Sequence, residues 1–146
     1  MRPGLVWSLW AVLALLCGGC GSFSASSGAG ARGAAVQDSF CGQWEGRWVS
    51  AKHANSSGKL LCRLTKMEEG LYRAEFRAYW LAFHANYAVR LSGRERGGVL
   101  VVEGSHELPK LYGGTYQYSG RVTLMEFKAR YGSSYDEGVF ELSRPR

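Results

Sequence analysis

Residues 39–146 predict an all-β domain, a single antiparallel meander of about eight strands that closes as an up-and-down barrel. Three observations predict it. Polar and apolar side chains alternate with period two through most of the stretch. The alternating runs are short, and polar or glycine-bearing turns of hairpin length separate them. No run after the first forty residues sustains the 3.6-residue period of an amphipathic helix. Consecutive strands joined by short turns pair with their neighbours, and closing such a meander removes its exposed edges; an open or sandwiched sheet is the alternative.

The elements follow in order. Residues 43–50 place Trp44, Gly46 and Trp48 on one face, with Glu45 and Arg47 on the other. Residues 53–58 read as a polar turn. Residues 59–66 turn Leu60, Cys62 and Leu64 to the same side, and residues 67–70 form a tight turn. Residues 71–80 alternate cleanly, with Tyr72, Ala74, Phe76, Ala78 and Trp80 inward and Arg73, Glu75 and Arg77 outward. A fourth strand over 85–91 carries Tyr87, Val89 and Leu91, and a charged turn over 92–98 follows. Residues 98–104 form a fifth strand. Residues 105–113, which include Pro109, are the longest irregular stretch. Residues 114–123 carry Tyr116, Tyr118, Gly120 and Val122. Residues 124–131 carry Met125, Phe127, Ala129 and Tyr131. After a turn over 132–136, residues 138–142 complete the set with Phe140 and Leu142 inward.

This pattern sends a large share of the aromatic rings to one face. An eight-stranded barrel is just wide enough to be filled by side chains or to hold one small ligand. Trp48, Tyr87, Tyr116 and Tyr118 are the candidate ligand-binding residues, because a tyrosine hydroxyl offers a polar anchor inside an apolar wall. A core filled by its own rings is the other outcome the pattern allows.

The first 38 residues read differently. A short basic start with Arg2, an apolar run over 5–16 and a Cys-Gly-Gly-Cys segment have the layout of an export signal. The apolar run is shorter than the roughly 20 residues of a membrane-spanning helix. Residues 21–37 read GSFSASSGAGARGAAVQ, a composition too poor in apolar side chains to order itself. The expected organisation is a signal peptide over 1–19, a tether over 20–38 and a β domain over 39–146.

Gly18-Gly19-Cys20 resembles the lipobox of bacterial lipoproteins, in which a small residue precedes a cysteine that receives diacylglycerol. Cys17 stands where that family usually has leucine. The resemblance implies lipidation at Cys20 and a protein held on a membrane of the cell envelope, facing the periplasm or the exterior. Gly42-x-Trp44 and Gly46-x-Trp48 on the first strand, with Arg144 just past the last, are similar to the calycin barrels. That resemblance implies a tryptophan at the barrel base, Trp44 or Trp48, packed by Arg144. The pattern GxWxGxW, then GGTYQYSG, then FKARYGSSYDEGVFEL, also resembles a group of short exported bacterial proteins of unknown function.

Other chemistry has little support. The chain holds 18 Lys and Arg against 12 Asp and Glu, a net charge of +6. The charges sit singly on alternate positions, as on a solvated face, so no nucleic-acid partner is expected. His53, His84 and His106 are isolated, and no metal-ligand spacing, cofactor motif or catalytic set stands out. An enzyme would need at least two of His53, His84, His106, Glu103 and Glu107 to converge. Cys41 and Cys62 are expected to stay apart: a hairpin about residue 54 sets Cys62 opposite Gly46 and leaves Cys41 beyond disulfide reach. The function expected is that of a non-catalytic, membrane-anchored envelope lipoprotein, its barrel binding a small apolar or aromatic ligand. The alternative is a structural or protein-interaction module with a filled core.

Overall fold

The computed structural model of the protein describes residues 38–53 and 56–146. The expected leader, the tether before residue 38 and the lipidation of Cys20 lie outside the described residues.

The described residues form eight strands: β1 (Gly42–Ser50), β2 (Ser57–Glu68), β3 (Leu71–Trp80), β4 (Phe83–Arg96), β5 (Val99–Glu107), β6 (Thr115–Val122), β7 (Glu126–Gly132) and β8 (Glu137–Ser143), with one 3-10 turn, Lys110–Tyr112, between β5 and β6. Each strand pairs antiparallel with the next, and β8 pairs back onto β1 with Trp48 opposite Phe140. The barrel is closed, although Phe83–Arg90 of β4 pair with β3 and not with β5, whose register with β4 covers Leu91–Arg96 only.

Alternation divides the two faces as the sequence implied. Leu60, Cys62 and Leu64 on β2 face Ala78, Phe76 and Ala74 on β3, and all but the half-buried Ala78 are buried. The outward positions beside and between them carry Leu61, Arg63, Arg73, Glu75 and Arg77. A barrel that spans a membrane carries the opposite pattern, apolar outside and polar within. No helix among the described residues is long and apolar enough to cross a membrane.

Several boundaries differ from expectation, each for a local reason. β4 continues through Ser92 to Arg96 instead of ending at a long turn. Gly97 and Gly98, at φ 57° and 75°, make a two-residue hairpin turn with positive φ at both central positions, and that tight turn lets the pairing run on. Met125, expected inward, is 66% exposed because β7 begins at Glu126, two residues later than expected, and Met125 sits in the β6–β7 turn. Trp80, also expected inward, is only half-buried at the strand end, beside Phe83 (ring centroids 6.4 Å). The β1–β2 hairpin is offset by two residues, so that Cys62 lies opposite Trp44 and not Gly46. Alternation is blind to a shift of two, which keeps every side chain on its face. Both Cys41 and Cys62 are free thiols.

The β3–β4 turn stores strain. Leu81 has φ 51° and is 97% exposed, in a two-residue turn between Trp80 and its partner Phe83. Positive φ at the first central position alone is the sign pattern of a type II′ turn, which favours glycine there. We expect Leu81→Gly to stabilise the protein by about 0.5–1 kcal/mol in urea unfolding, since the relief of left-handed strain exceeds the added chain entropy. A loss of stability would show that the exposed leucine makes contacts that matter.

Candidate functional site

The two ends of the barrel are built differently. The end where β1 starts and where the β2–β3, β4–β5 and β6–β7 turns lie is the base. There Trp44, Leu64, Leu100, Val122, Phe127 and Leu142 are all buried. The Trp44 and Phe127 rings meet edge to face, 6.0 Å between centroids at 83°.

Residues 38–41 close the base from below. Phe40, which precedes the first strand and so carries no alternation signal, is buried in the core. Its carbonyl accepts a hydrogen bond from Trp44 Nε1 (3.2 Å). Tyr72 donates its hydroxyl to Asp38 Oδ2 (2.7 Å), and Lys66 Nζ lies 3.6 Å from the same oxygen. The Arg144 guanidinium carbon lies 3.9 Å from the Trp44 ring centroid. The same guanidinium donates to the carbonyl oxygens of Cys41 (2.8 Å), Ser39 (2.6 Å) and Leu124 (3.2 Å). The ring–guanidinium pair thus falls on Trp44 and not Trp48, and it ties the chain just before β1 to the chain just after β8.

The other end, where the β1–β2, β3–β4, β5–β6 and β7–β8 connections lie, is the mouth. There the inward side chains are not sealed. Trp48, Ala78, Tyr87, Tyr116 and Tyr118 pack on the core yet remain half-buried. Trp48 Nε1 donates to the carbonyl of Tyr79 (3.0 Å). Beneath them Phe76 stacks on Tyr87 (5.2 Å), and Phe140 packs against Phe76 (5.3 Å), Tyr131 (4.9 Å) and Tyr118 (6.2 Å). The result is an aromatic cup of packed rings, the deeper ones buried and the outer ones half-buried. All four ligand-binding candidates therefore belong to one end of the interior.

Asp136, in the β7–β8 turn, braces one side of the mouth. Its carboxylate accepts the hydroxyls of Ser50 (2.6 Å) and Tyr131 (3.0 Å) and the backbone N–H of Glu137 (2.9 Å). Alternation turns Tyr131 inward but does not single out Asp136 or Ser50, since a turn aspartate shows its partners only in three dimensions. Around the mouth stand the exposed apolar side chains Leu81, Phe83, Leu108 and Leu111.

Burial holds the hydroxyls of Tyr72, Tyr87, Tyr118 and Tyr131 in their neutral form beyond the usual tyrosine range, and for Tyr72 and Tyr131 the neighbouring carboxylates Asp38 and Asp136 add to it. A folded-state pKa above the unfolded value means that stability is fully present below about pH 10, the unfolded tyrosine value, and is lost as pH rises beyond it. Each such tyrosine removes at most about 1.4 kcal/mol per pH unit. We expect alkaline unfolding to coincide with a late, cooperative rise in tyrosinate absorbance. A gradual, independent titration of all tyrosines would contradict this.

The catalytic candidates do not assemble. His53 and His84 are exposed beside Tyr135 and Tyr79, respectively. His106 is half-buried opposite Tyr116, while Glu103 and Glu107 are exposed on the outer face of the same strand. Among the described residues no group of three or more His, Cys, Asp or Glu is placed to hold a metal ion. Burial raises the pKa of the Cys62 thiol far above its ordinary value, which keeps it from acting as a nucleophile. Two shallow grooves cross the outside of the barrel, over β4–β7 and over β5–β8, with carboxylates and cations interspersed.

Fold and site together define a class, a closed eight-stranded barrel with one sealed end and one aromatic cup. No protein-family model and no curated protein matches the chain.

Proposed function

We propose that this is a non-catalytic lipoprotein of the cell envelope, anchored through Cys20, whose barrel takes a small apolar or aromatic ligand into the cup. One observation carries the ligand reading: inward rings at the mouth stay half-buried while the base is fully packed. A barrel serving only as a solid module gains by burying these rings, at about 25 cal/mol per Å² of apolar surface. Leaving them open makes sense where an occupant covers them. The export layout of residues 1–19, the Gly18-Gly19-Cys20 segment and the Gly/Ser/Ala tether support the anchor.

Mass spectrometry of the protein from its native host tests both parts. The expected result is a mature N-terminus at an acylated Cys20, with a small molecule released on denaturation. An unmodified N-terminus ends the anchor reading. A barrel that releases no ligand, and whose tryptophan emission no apolar probe changes, favours the structural module.

A further inference from the structure

β4 keeps a strand edge that the closed barrel does not use. Its residues Phe83–Arg90 pair with β3 alone, because β5 leaves β4 after the Leu91–Gly104 pair and runs on to Glu107 against β6. Gly93 donates its N–H to the Gly70 carbonyl (2.9 Å), next in register to Ser92 opposite Leu71. Backbone groups along an antiparallel strand turn to alternate sides. Those of Phe83, Ala85, Tyr87 and Val89 therefore point to β3, and those of His84, Asn86, Ala88 and Arg90 point away from it. The Arg90 carbonyl still lies against Gly104. Among the described residues, no backbone hydrogen bond outside the strand pairing reaches His84, Asn86 or Ala88. His84 and Asn86 are exposed, and Ala88 is half-buried.

An edge of this kind is a template for another strand, and proteins blunt it with lysine, proline or inward charges. Residues 83–89 read FHANYAV and contain none of these. The side chains fit one occupant, a second copy of the same strand. A twofold axis normal to the sheet keeps the inward faces of both strands on one side, so even-numbered residues meet even-numbered ones. The register centred on Asn86 spans the whole unpaired run and sets large side chains against smaller ones. His84 meets the partner's Ala88, Tyr87 the partner's Ala85, and Arg90 the partner's Ala82. Phe83, 64% exposed, gains the partner's Val89. No like charges meet. The two Arg90 side chains fall at opposite ends of the paired run, about 26 Å apart, well beyond the screening length of about 8 Å. Arg77 Nε donates to Asn86 Oδ1 (2.9 Å), and the two β3 strands that carry Arg77 stand about 14 Å apart across the join.

We propose that two copies of the protein join edge to edge through β4, Asn86 opposite the partner's Asn86, so that β3 and β4 continue into the partner's β4 and β3 as one antiparallel sheet. In that register the N–H and C=O groups of His84, Asn86 and Ala88 bond those of the partner's Ala88, Asn86 and His84. The join needs neither a ligand in the cup nor a lipid on Cys20.

Sedimentation equilibrium of the full chain, over concentrations on the order of 1–200 µM, tests it. The mass is expected to rise toward twice that of one chain. Amide hydrogen exchange over the same range should slow at His84, Asn86 and Ala88 and stay constant at Phe83, Ala85 and Tyr87, which β3 already protects. Two variants test the register, one carrying His84→Lys with Ala88→Lys, the other His84→Glu with Ala88→Glu. Both positions face outward, away from the core. Each variant alone sets like charges opposite each other and should self-associate at least about 10-fold more weakly. An equimolar mixture of the two should recover the dimer. A mass that stays at one chain, species that grow past the dimer, or charge variants that associate as the unaltered chain does would overturn the proposal. So would a dimer in which the exchange of the three amides is unchanged, since its contact then lies elsewhere, residues 1–37 included.

Discussion

Trp44→Ala lowers the unfolding free energy by about 4 kcal/mol, the range expected when a fully buried tryptophan becomes a cavity. The ring is 1% exposed, meets Phe127 edge to face and donates to the Phe40 carbonyl. Its loss also strips the apolar side of Arg144. Arg144→Ala alone should cost about 2–3 kcal/mol, because it removes a cation–π contact and three charged hydrogen bonds to backbone carbonyls. The two residues touch, so their effects will not add. A double-mutant cycle in urea should return a coupling of about 1 kcal/mol. If Arg144→Ala costs less than about 0.5 kcal/mol, the guanidinium merely rests on a base that the core already holds shut.

Gly46→Val is expected to be at least as severe, through backbone rather than side chain. Gly46 pairs with Leu60 on β2 and with Leu142 on β8, so it sits on the seam that closes the barrel. A Cβ built at Gly46 runs into the Glu141 carbonyl and the Leu142 Cα. Backbone atoms of a paired strand cannot step aside as a side-chain tip can. The expected loss is about 3 kcal/mol or more. Amide hydrogen exchange should show β1 and β8 losing protection before β3 and β4. Uniform exchange across all strands would mean that the seam is no weaker than the rest of the barrel.

Much of this fold was legible because its signal is local. Alternation over residues 71–80 marked β3 to the residue, and Phe76, which it sends inward, is buried. Trp48, Tyr87, Tyr116 and Tyr118 were likewise assigned to the interior from period two alone, and the structure brings them to the same end. What was missed lacked a periodic cue. Phe40 precedes the first strand. Asp136 lies in a turn, and its partners Ser50 and Tyr131 come from other strands. The two-residue offset of the β1–β2 hairpin left no trace, because it conserves every face.

The sequence by itself determined the strands and their meander, since a chain whose apolar side chains recur every second residue buries them best as sheet, and short turns pair consecutive strands. Only the tertiary structure decided that the meander closes as a barrel, and that one end is packed solid while the other keeps its outer rings half-buried. That asymmetry depends on which rings meet across strands distant in sequence and on how a short segment before β1 folds under the base. Neither is written in the period of any single strand.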